Sequence, residues 1–341
     1  MPTSPPRQVT YVLPIKVAER ADGTDLTGYL RWLATRADVV VVDGSRADVF
    51  DAHARAWGNV VAHLPVASRT RNGKVAGVLD GVAAAVTPYV VIADDDVRYD
   101  EQSLAAVVGR LRTCTAVVPQ NYFEPTPWHA RWDTARSLVN RAFSTDYAGT
   151  LGVRRDALVA TEGYCGAVLF ENLELLRTLT SRGFDVCSAA DIFVRRHPPT
   201  ARHFVGQRVR QAYDSRSQPA RLVAELLVVP TLLAALTWRR SAAAAILTST
   251  VAVAETGRRR GSGREVFAWD SALWAPVWLL ERGVASWLAM LAALRGGVRY
   301  GDGRLRTAAH SRRELAGLGC PEQSCACVIP WRFRPERSDA S

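Results

Sequence analysis

Three adjacent aspartates, Asp94-Asp95-Asp96, follow the apolar run at 89–93. Neighbouring carboxylates repel one another, so such a cluster is unfavourable unless a cation compensates it. Mg²⁺, a hard divalent ion, typically takes one or two carboxylates plus substrate phosphates. Side chains alternate along an extended chain, so Asp94 and Asp96 share one side and Asp95 takes the other. Asp94 and Asp96 are therefore the candidate ligands for Mg²⁺ or Mn²⁺; the bland alternative is a solvated acidic turn. Asp43 closes a second apolar run (39–42) in Asp43-Gly44-Ser45. It is placed to accept hydrogen bonds from a base or ribose, although Asp-Gly is also an ordinary turn. Asn72-Gly73-Lys74 precedes a helical pattern, and a helix N-terminus with a lysine suits an anion. Lysine occurs only here and at Lys16 in a chain with 43 Lys and Arg.

The elements that must position these residues alternate. Apolar runs at 9–15, 39–42, 60–64, 89–93 and 116–119 read as strands, with helical spacing at 26–35, 74–86 and 102–112. Runs without alternation suit strands buried on both faces of a parallel sheet. The βαβα order predicts an α/β fold, a mostly parallel sheet with helices on both faces. Ligands of such sheets bind at the carboxyl ends of the strands, which puts Asp43 and Asp94–Asp96 on one rim. Beyond residue 128 the pattern predicts helices at 128–143, 154–159 and 171–182, strands at 149–153 and 186–194, and a basic stretch at 195–221.

With 341 residues, 48% hydrophobic and 22% charged, the chain is neither a mini-protein nor a disordered one. Its net charge of +10 is carried by arginine. No basic run is interleaved with aromatics, which argues against nucleic acid as a partner. Six cysteines follow no recognisable signal peptide, so a reduced, cytoplasmic head is expected. Cys320, Cys325 and Cys327 lack the second Cys pair or His pair of a zinc site.

The composition changes after Arg221. Segments 222–238 and 241–256 each carry one acid, and 267–294 is apolar and rich in Trp but holds Asp270, Glu281 and Arg282. Arginines cluster at 258–264 and again at 295–313. A two-span hairpin followed by an interfacial helix keeps both clusters on the cytoplasmic side. The expected organisation is a catalytic domain at 1–221, a membrane-associated helical region at 222–294 and a basic tail at 295–341.

Taken in order, Leu13-Pro14, Asp43-Gly44-Ser45, Asn72-Gly73-Lys74, Ile92-Ala93-Asp94-Asp95-Asp96, Gly149-Thr150-Leu151-Gly152-Val153, Phe170-Glu171-Asn172 and Gln207-Arg208-Val209-Arg210 resemble family-2 glycosyltransferases of the GT-A fold over residues 9–213. The apolar region resembles the membrane segments of processive and ceramide-glucosyltransferase-like members. The resemblance implies an inverting transfer of sugar from a nucleotide-diphosphate donor to a lipid, lipid-linked or glycan acceptor at the cytoplasmic membrane face. It implies that Pro14, Asp43, Lys74, Asp94, Asp95, Gln207, Arg208 and Arg210 surround the nucleotide sugar, and that Asp94 and Asp96 hold the metal. Glu171-Asn172 stands where the family has Glu-Asp, whose Asp is the catalytic base. Gln207, Arg208 and Arg210 match Gln-x-x-Arg-Trp, with Gln211 in place of Trp. An amide takes no proton, so either Glu171 or another carboxylate, Asp146 or Glu162, supplies the base, or the protein is a catalytically silent nucleotide-sugar-binding membrane protein. Trp128, Trp132 and Tyr147 are candidates for an acceptor groove. A nucleotidyltransferase is disfavoured because 13–18 holds no glycine for a phosphate loop.

Overall fold

A computed structural model describes residues 7–17, 24–144, 146, 149–301 and 303–317. Tyr147, Cys320, Cys325 and Cys327 lie outside the described residues. The strands are β1 (Val9–Ile15), β2 (Asp38–Asp43), β3 (Ala62–Pro65), β4 (Tyr89–Ala93), β5 (Val97–Arg98), β6 (Ala116–Phe123), β7 (Thr150–Arg154), β8 (Val186–Arg196), β9 (Val298–Tyr300) and β10 (Gly303–Leu305). The helices are α1 (Thr24–Ala34), α2 (Ala47–Trp57), α3 (Gly73–Ala84), α4 (Glu101–Arg110), α5 (Trp128–Phe143), α6 (Arg155–Ala160), α7 (Glu171–Ser181), α8 (Ala201–Tyr213), α9 (Pro219–Trp238), α10 (Arg240–Arg259), α11 (Gly263–Val266), α12 (Ala275–Leu294) and α13 (Arg312–Ala316).

One mostly parallel sheet runs in the order β3-β2-β1-β4-β7-β6-β8-β5. Strands β3, β2, β1 and β4 are parallel in register, with Val12 opposite both Val40 and Ile92. β7 is inserted antiparallel between β4 and β6, a reversal that apolar periodicity does not encode. The valine runs do bury both faces. Tyr11, Leu13, Val39 and Val41 meet Leu30, Leu33, Leu104 and Val107 on one side. Val12, Val90 and Ile92 meet Val75, Val78, Leu79 and Leu175 on the other.

Helix α3 approaches the sheet closely because Gly77 and Gly81 lack side chains. A Cβ on Gly81 would lie 2.3 Å from Val12 Cγ1, and one on Gly77 would lie 2.7 Å from Pro14 Cβ. This seats the N-terminus of α3, with Lys74, over the rim where β4 ends. Pro14 is buried in this packing.

The basic stretch after β8 contains the helix α8, which buries Phe204, Arg208, Ala212 and Tyr213. Cys114 and Cys187 are disulfide-bonded across 73 residues. This corrects the expectation of reduced thiols, since such bonds persist in oxidising surroundings. Among the described residues, two helical stretches are long and apolar enough to cross a membrane, Pro219–Trp238 and Trp269–Leu294. α12 packs against α9, while α10, covering the expected second span at 241–256, packs along α5 as well as α9, with Ala254 buried and Gly257 against the backbone of Leu138.

Candidate active site

At the end of β4 the chain turns through Asp94–Asp96 and pairs back to β8 through β5. Asp94 and Asp96 converge on one point. Arg196 Nη2 donates to Asp94 Oδ2 at 3.2 Å and to Asp96 Oδ2 at 2.7 Å, and Arg196 Nε lies 3.1 Å from both oxygens of Asp96. Asp95 faces outward and is exposed. The other oxygen of Asp94 pairs with Lys74 Nζ, which also donates to Glu171 Oε1 at 2.6 Å. Burial alone would raise the Asp94 carboxyl, but Lys74 and Arg196 together hold it below the usual range. Burial likewise opposes the charge on Lys74, and Asp94 with Glu171 outweighs it, raising the ammonium pKa. As a donor set, two partly exposed carboxylates meeting at one cationic point fit a hard divalent ion.

Glu171 opens α7 beside Asn72, the N-cap of α3. Asn72 Oδ1 accepts from Lys74 N at 3.1 Å, while Nδ2 donates to Val168 O at 2.9 Å and reaches Glu171 Oε2 at 3.4 Å. Asn172, next to it, is half-buried. A phenol that the sequence reading missed completes this group: Tyr300 of β9 donates to Asn72 Oδ1 at 2.7 Å. The guanidinium of Arg210 lies 4.7 Å from the Tyr300 ring centroid, a cation–π distance. The chain beyond β10 then bonds to the loop before α7. Leu169 N donates to Thr307 O and Phe170 N to Ala308 O. His310 donates from N at 2.8 Å and from Nδ1 at 2.7 Å to the buried Glu174. Residues 298–310 thus brace the Glu171 end of the site, which a basic, turn-rich stretch gives little sign of.

Asp43 lies at the rim but faces inward. Its Oδ1 accepts from Ser45 N at 2.8 Å, and its Oδ2 accepts from His53 Nδ1 at 2.7 Å and His63 Nε2 at 3.2 Å. Burial would raise its pKa, yet bonds from His63, Ser45 and His53 hold it well below the usual carboxylate range. Its side chain is 0% exposed, so it orients two imidazoles where a direct ligand contact was expected. The two histidines come from α2 and β3, elements that spacing alone does not bring together.

Helix α8 divides its cations. Arg210 faces the site, whereas Arg208 is buried, donating to Asp133 Oδ1 at 3.2 Å and Glu281 Oε2 at 3.0 Å. Arg208, expected near the diphosphate, instead ties α5 and α12 to α8, because two carboxylates from those helices enclose it. Gln207 contacts His203 on the outer face. Among the alternative bases, Asp146 is locked by Arg136, Ser137 and Asn140, and Glu162 is exposed in a left-handed turn at φ 57°. Asp214, which sequence reading also missed, has a buried Oδ1 with no hydrogen-bond partner. Burial pushes its carboxyl up to about 7, against the pull of Arg210 and with the push of Glu171. Trp128 and Trp132 cluster with His129 and Phe204 beside α8, and Trp128 is 47% exposed. A groove of about 680 Å³ between α4, β8 and α11 contains none of these residues.

This sheet, with an acidic turn at the end of β4 and a carboxylate-led helix facing it, defines a glycosyltransferase architecture. The sequence profile described as Glycosyltransferase like family 2 matches residues 35–214, and the chain belongs to that family. No curated protein matches the sequence closely enough to add a comparison. Among solved structures, the fold is similar to the mannosyltransferase PcManGT from Pyrobaculum calidifontis, a complex with GDP-Man and Mn²⁺. That likeness has 18% identity, covers 82% of this chain and 87% of the other, and has a TM-score of 0.52. Glucosyl-3-phosphoglycerate synthase of M. tuberculosis aligns with 20% identity over 64% of this chain and 80% of the other, at a TM-score of 0.40.

Proposed function

We propose that the protein transfers a sugar, with inversion, from a nucleoside-diphosphate donor to a lipid, lipid-linked or glycan acceptor beside a membrane. The observation that carries this reading is the convergence of Asp94 and Asp96 on one cationic point, with Glu171 held alongside by Lys74. Asp94 and Asp96 would hold Mg²⁺ or Mn²⁺, which supplies positive charge to the leaving diphosphate; the metal in the similar mannosyltransferase supports this choice. Arg210, stacked on Tyr300, adds fixed positive charge toward the same phosphates. Glu171 accepts the acceptor hydroxyl's proton at Oε2, the oxygen not paired with Lys74, as the acceptor oxygen attacks the anomeric carbon. Asp43 acts on the nucleotide through the imidazoles that it orients. Pro14 and Asp95 shape the rim by packing and charge. Gln207 lies at the outer edge, and Arg208 positions α8.

The domain division follows: a catalytic head to about residue 221, a membrane-associated helical region at 222–294, and a basic C-terminal part that returns to the head. Exposed Leu227, Leu233, Leu236 and Trp238 on α9, with Leu280, Val284, Trp287, Leu288 and Leu291 on α12, support membrane contact of the ceramide-glucosyltransferase-like kind. Trp128, exposed, with Trp132 tilted beside it, offers an acceptor an apolar surface. The arginine clusters favour a cytoplasmic head, and the Cys114–Cys187 disulfide favours an oxidising side; thiol labelling in intact cells separates the two. The decisive assay incubates purified protein in lipid with a panel of nucleoside-diphosphate sugars, with Mn²⁺ or with EDTA. Metal-dependent sugar transfer is the expected result. Donor binding without transfer to any lipid or glycan acceptor would instead establish the catalytically silent alternative.

A further inference from the structure

We propose that Arg196 is a resident counter-cation of Asp94 and Asp96, one that a divalent cation must displace before it can enter. The proposal rests on reading these two aspartates as the metal-holding pair. Arg196 Nη2 stands between the carboxylates, 3.2 Å from Asp94 Oδ2 and 2.7 Å from Asp96 Oδ2. Asp94 and Asp96 would hold a divalent ion at typical oxygen-ligand distances of about 2.1 Å, and the guanidinium nitrogen stands in the space between them that such an ion would need. At such separations their like charges also repel strongly.

Glycine at 149 gives the guanidinium its room in this arrangement: a Cβ there would lie 2.6 Å from Arg196 Cζ and 2.9 Å from Asp94 Oδ2. Gly149 itself is fixed, donating from N to Asn121 Oδ1 at 2.7 Å and accepting from Asp94 N at 2.9 Å. The Arg196 backbone is paired on both sides, with Val97 of β5 and with Phe123 of β6. Its Cα therefore stays in place, and release of the aspartates requires only the side chain, 22% exposed, to turn outward.

What turns it is an anion. A diphosphate arriving at the rim offers the guanidinium oxyanions to pair with, and that vacates the carboxylates for the metal. Metal and diphosphate then enter together: each tightens the other by the same factor, because coupling between two sites is reciprocal. Without the diphosphate, Arg196 keeps the aspartates satisfied and the metal affinity low.

The test measures Mn²⁺ binding alone, by the electron paramagnetic resonance signal of the free ion, on the full chain in lipid nanodiscs. Arg196→Gln should bind Mn²⁺ about tenfold more tightly than the wild type, the scale of losing one competing charge-assisted pair. Arg196→Lys, which reaches one carboxylate at a time, should fall between them; it carries the test should the Gln variant not fold by circular dichroism. Adding Asp96→Ala should remove the gain. Equal Mn²⁺ affinity in the wild type and the Arg196 variants overturns the proposal, while leaving the metal pair intact if Asp96→Ala weakens binding in both. No Mn²⁺ binding to any variant overturns the proposal, and no binding even with a nucleoside diphosphate added overturns the metal reading beneath it as well.

Discussion

Arg196 and Arg208 bridge pairs of carboxylates in nearly the same way, yet they stand in opposite surroundings. Arg196 spans Asp94 and Asp96, whose side chains are 24% and 27% exposed, at the open end of β4. Arg208 spans Asp133 and Glu281, at 9% and 13%, between α5, α8 and α12. Water reaches the first bridge, so its partners can be exchanged at little cost. The second bridge is sealed, and removing either side leaves charge stranded in a poor solvent. Two arginines of one chain thus separate into an exchangeable and a structural class by solvent access alone.

That contrast can be broken most sharply at Glu171, which shares Lys74 with the open cluster. Glu171→Gln keeps the shape but not the proton acceptor, so kcat should fall about 10²–10⁴-fold with donor affinity little changed; stopped assays and calorimetry check the two separately. Equal kcat would move the base elsewhere, with Asp214 first in line. Next in size, Arg208→Ala should lower stability by about 3 kcal/mol, whereas Arg196→Gln, at a bridge that water reaches and with Lys74 still on Asp94, should cost about 1 kcal/mol or less. Similar losses in both would erase the distinction.

Asp214 sharpens it through pH. Its carboxyl is lifted from 3.8 to about 7 in the fold, chiefly by burial. The folded state therefore has this group at no disadvantage below about pH 4, and loses stability as pH rises towards 7. Asp214→Asn should match the wild type near pH 4 and exceed it by about 2 kcal/mol above pH 7, the cost of an unsatisfied buried group. Denaturation midpoints at the two pH values test this. The smallest effect belongs to Tyr300→Phe: losing the bond to Asn72 Oδ1 should cost about 1 kcal/mol at the site, a severalfold drop in kcat/KM that His310→Gln at the far end of the same segment would not reproduce in kcat.

The parallel half of the sheet was legible because Val39–Val42 and Val90–Ile92 are buried on both faces and punctuated by aspartates. Strand ends put Asp43 and Asp94–Asp96 at one rim and the Asn72-Gly73-Lys74 helix start marked Lys74 for an anion, but the pairing of Lys74 with Asp94 is a tertiary contact that spacing does not encode. Helix α2 was overlooked because its buried side is only Val49 and Trp57 among small and charged residues. The partners of Asp43 were hidden with it, since His53 lies on that helix. Arg208 and Arg210, two residues apart, looked equivalent in sequence, and only the positions of Asp133, Glu281 and Tyr300 separate them. The bracing by residues 298–310 depends on pairings more than a hundred residues long, such as His310 to Glu174, which local spacing does not reveal.

That last arrangement sets an order of assembly. Asn72, Val168 and Glu174 leave the ribosome early, but Tyr300, Thr307 and His310 emerge only after α9, α10 and α12 have been made. The Glu171 end of the site is therefore finished by a stretch made after α9, α10 and α12. A chain still being translated carries the aspartates without the brace.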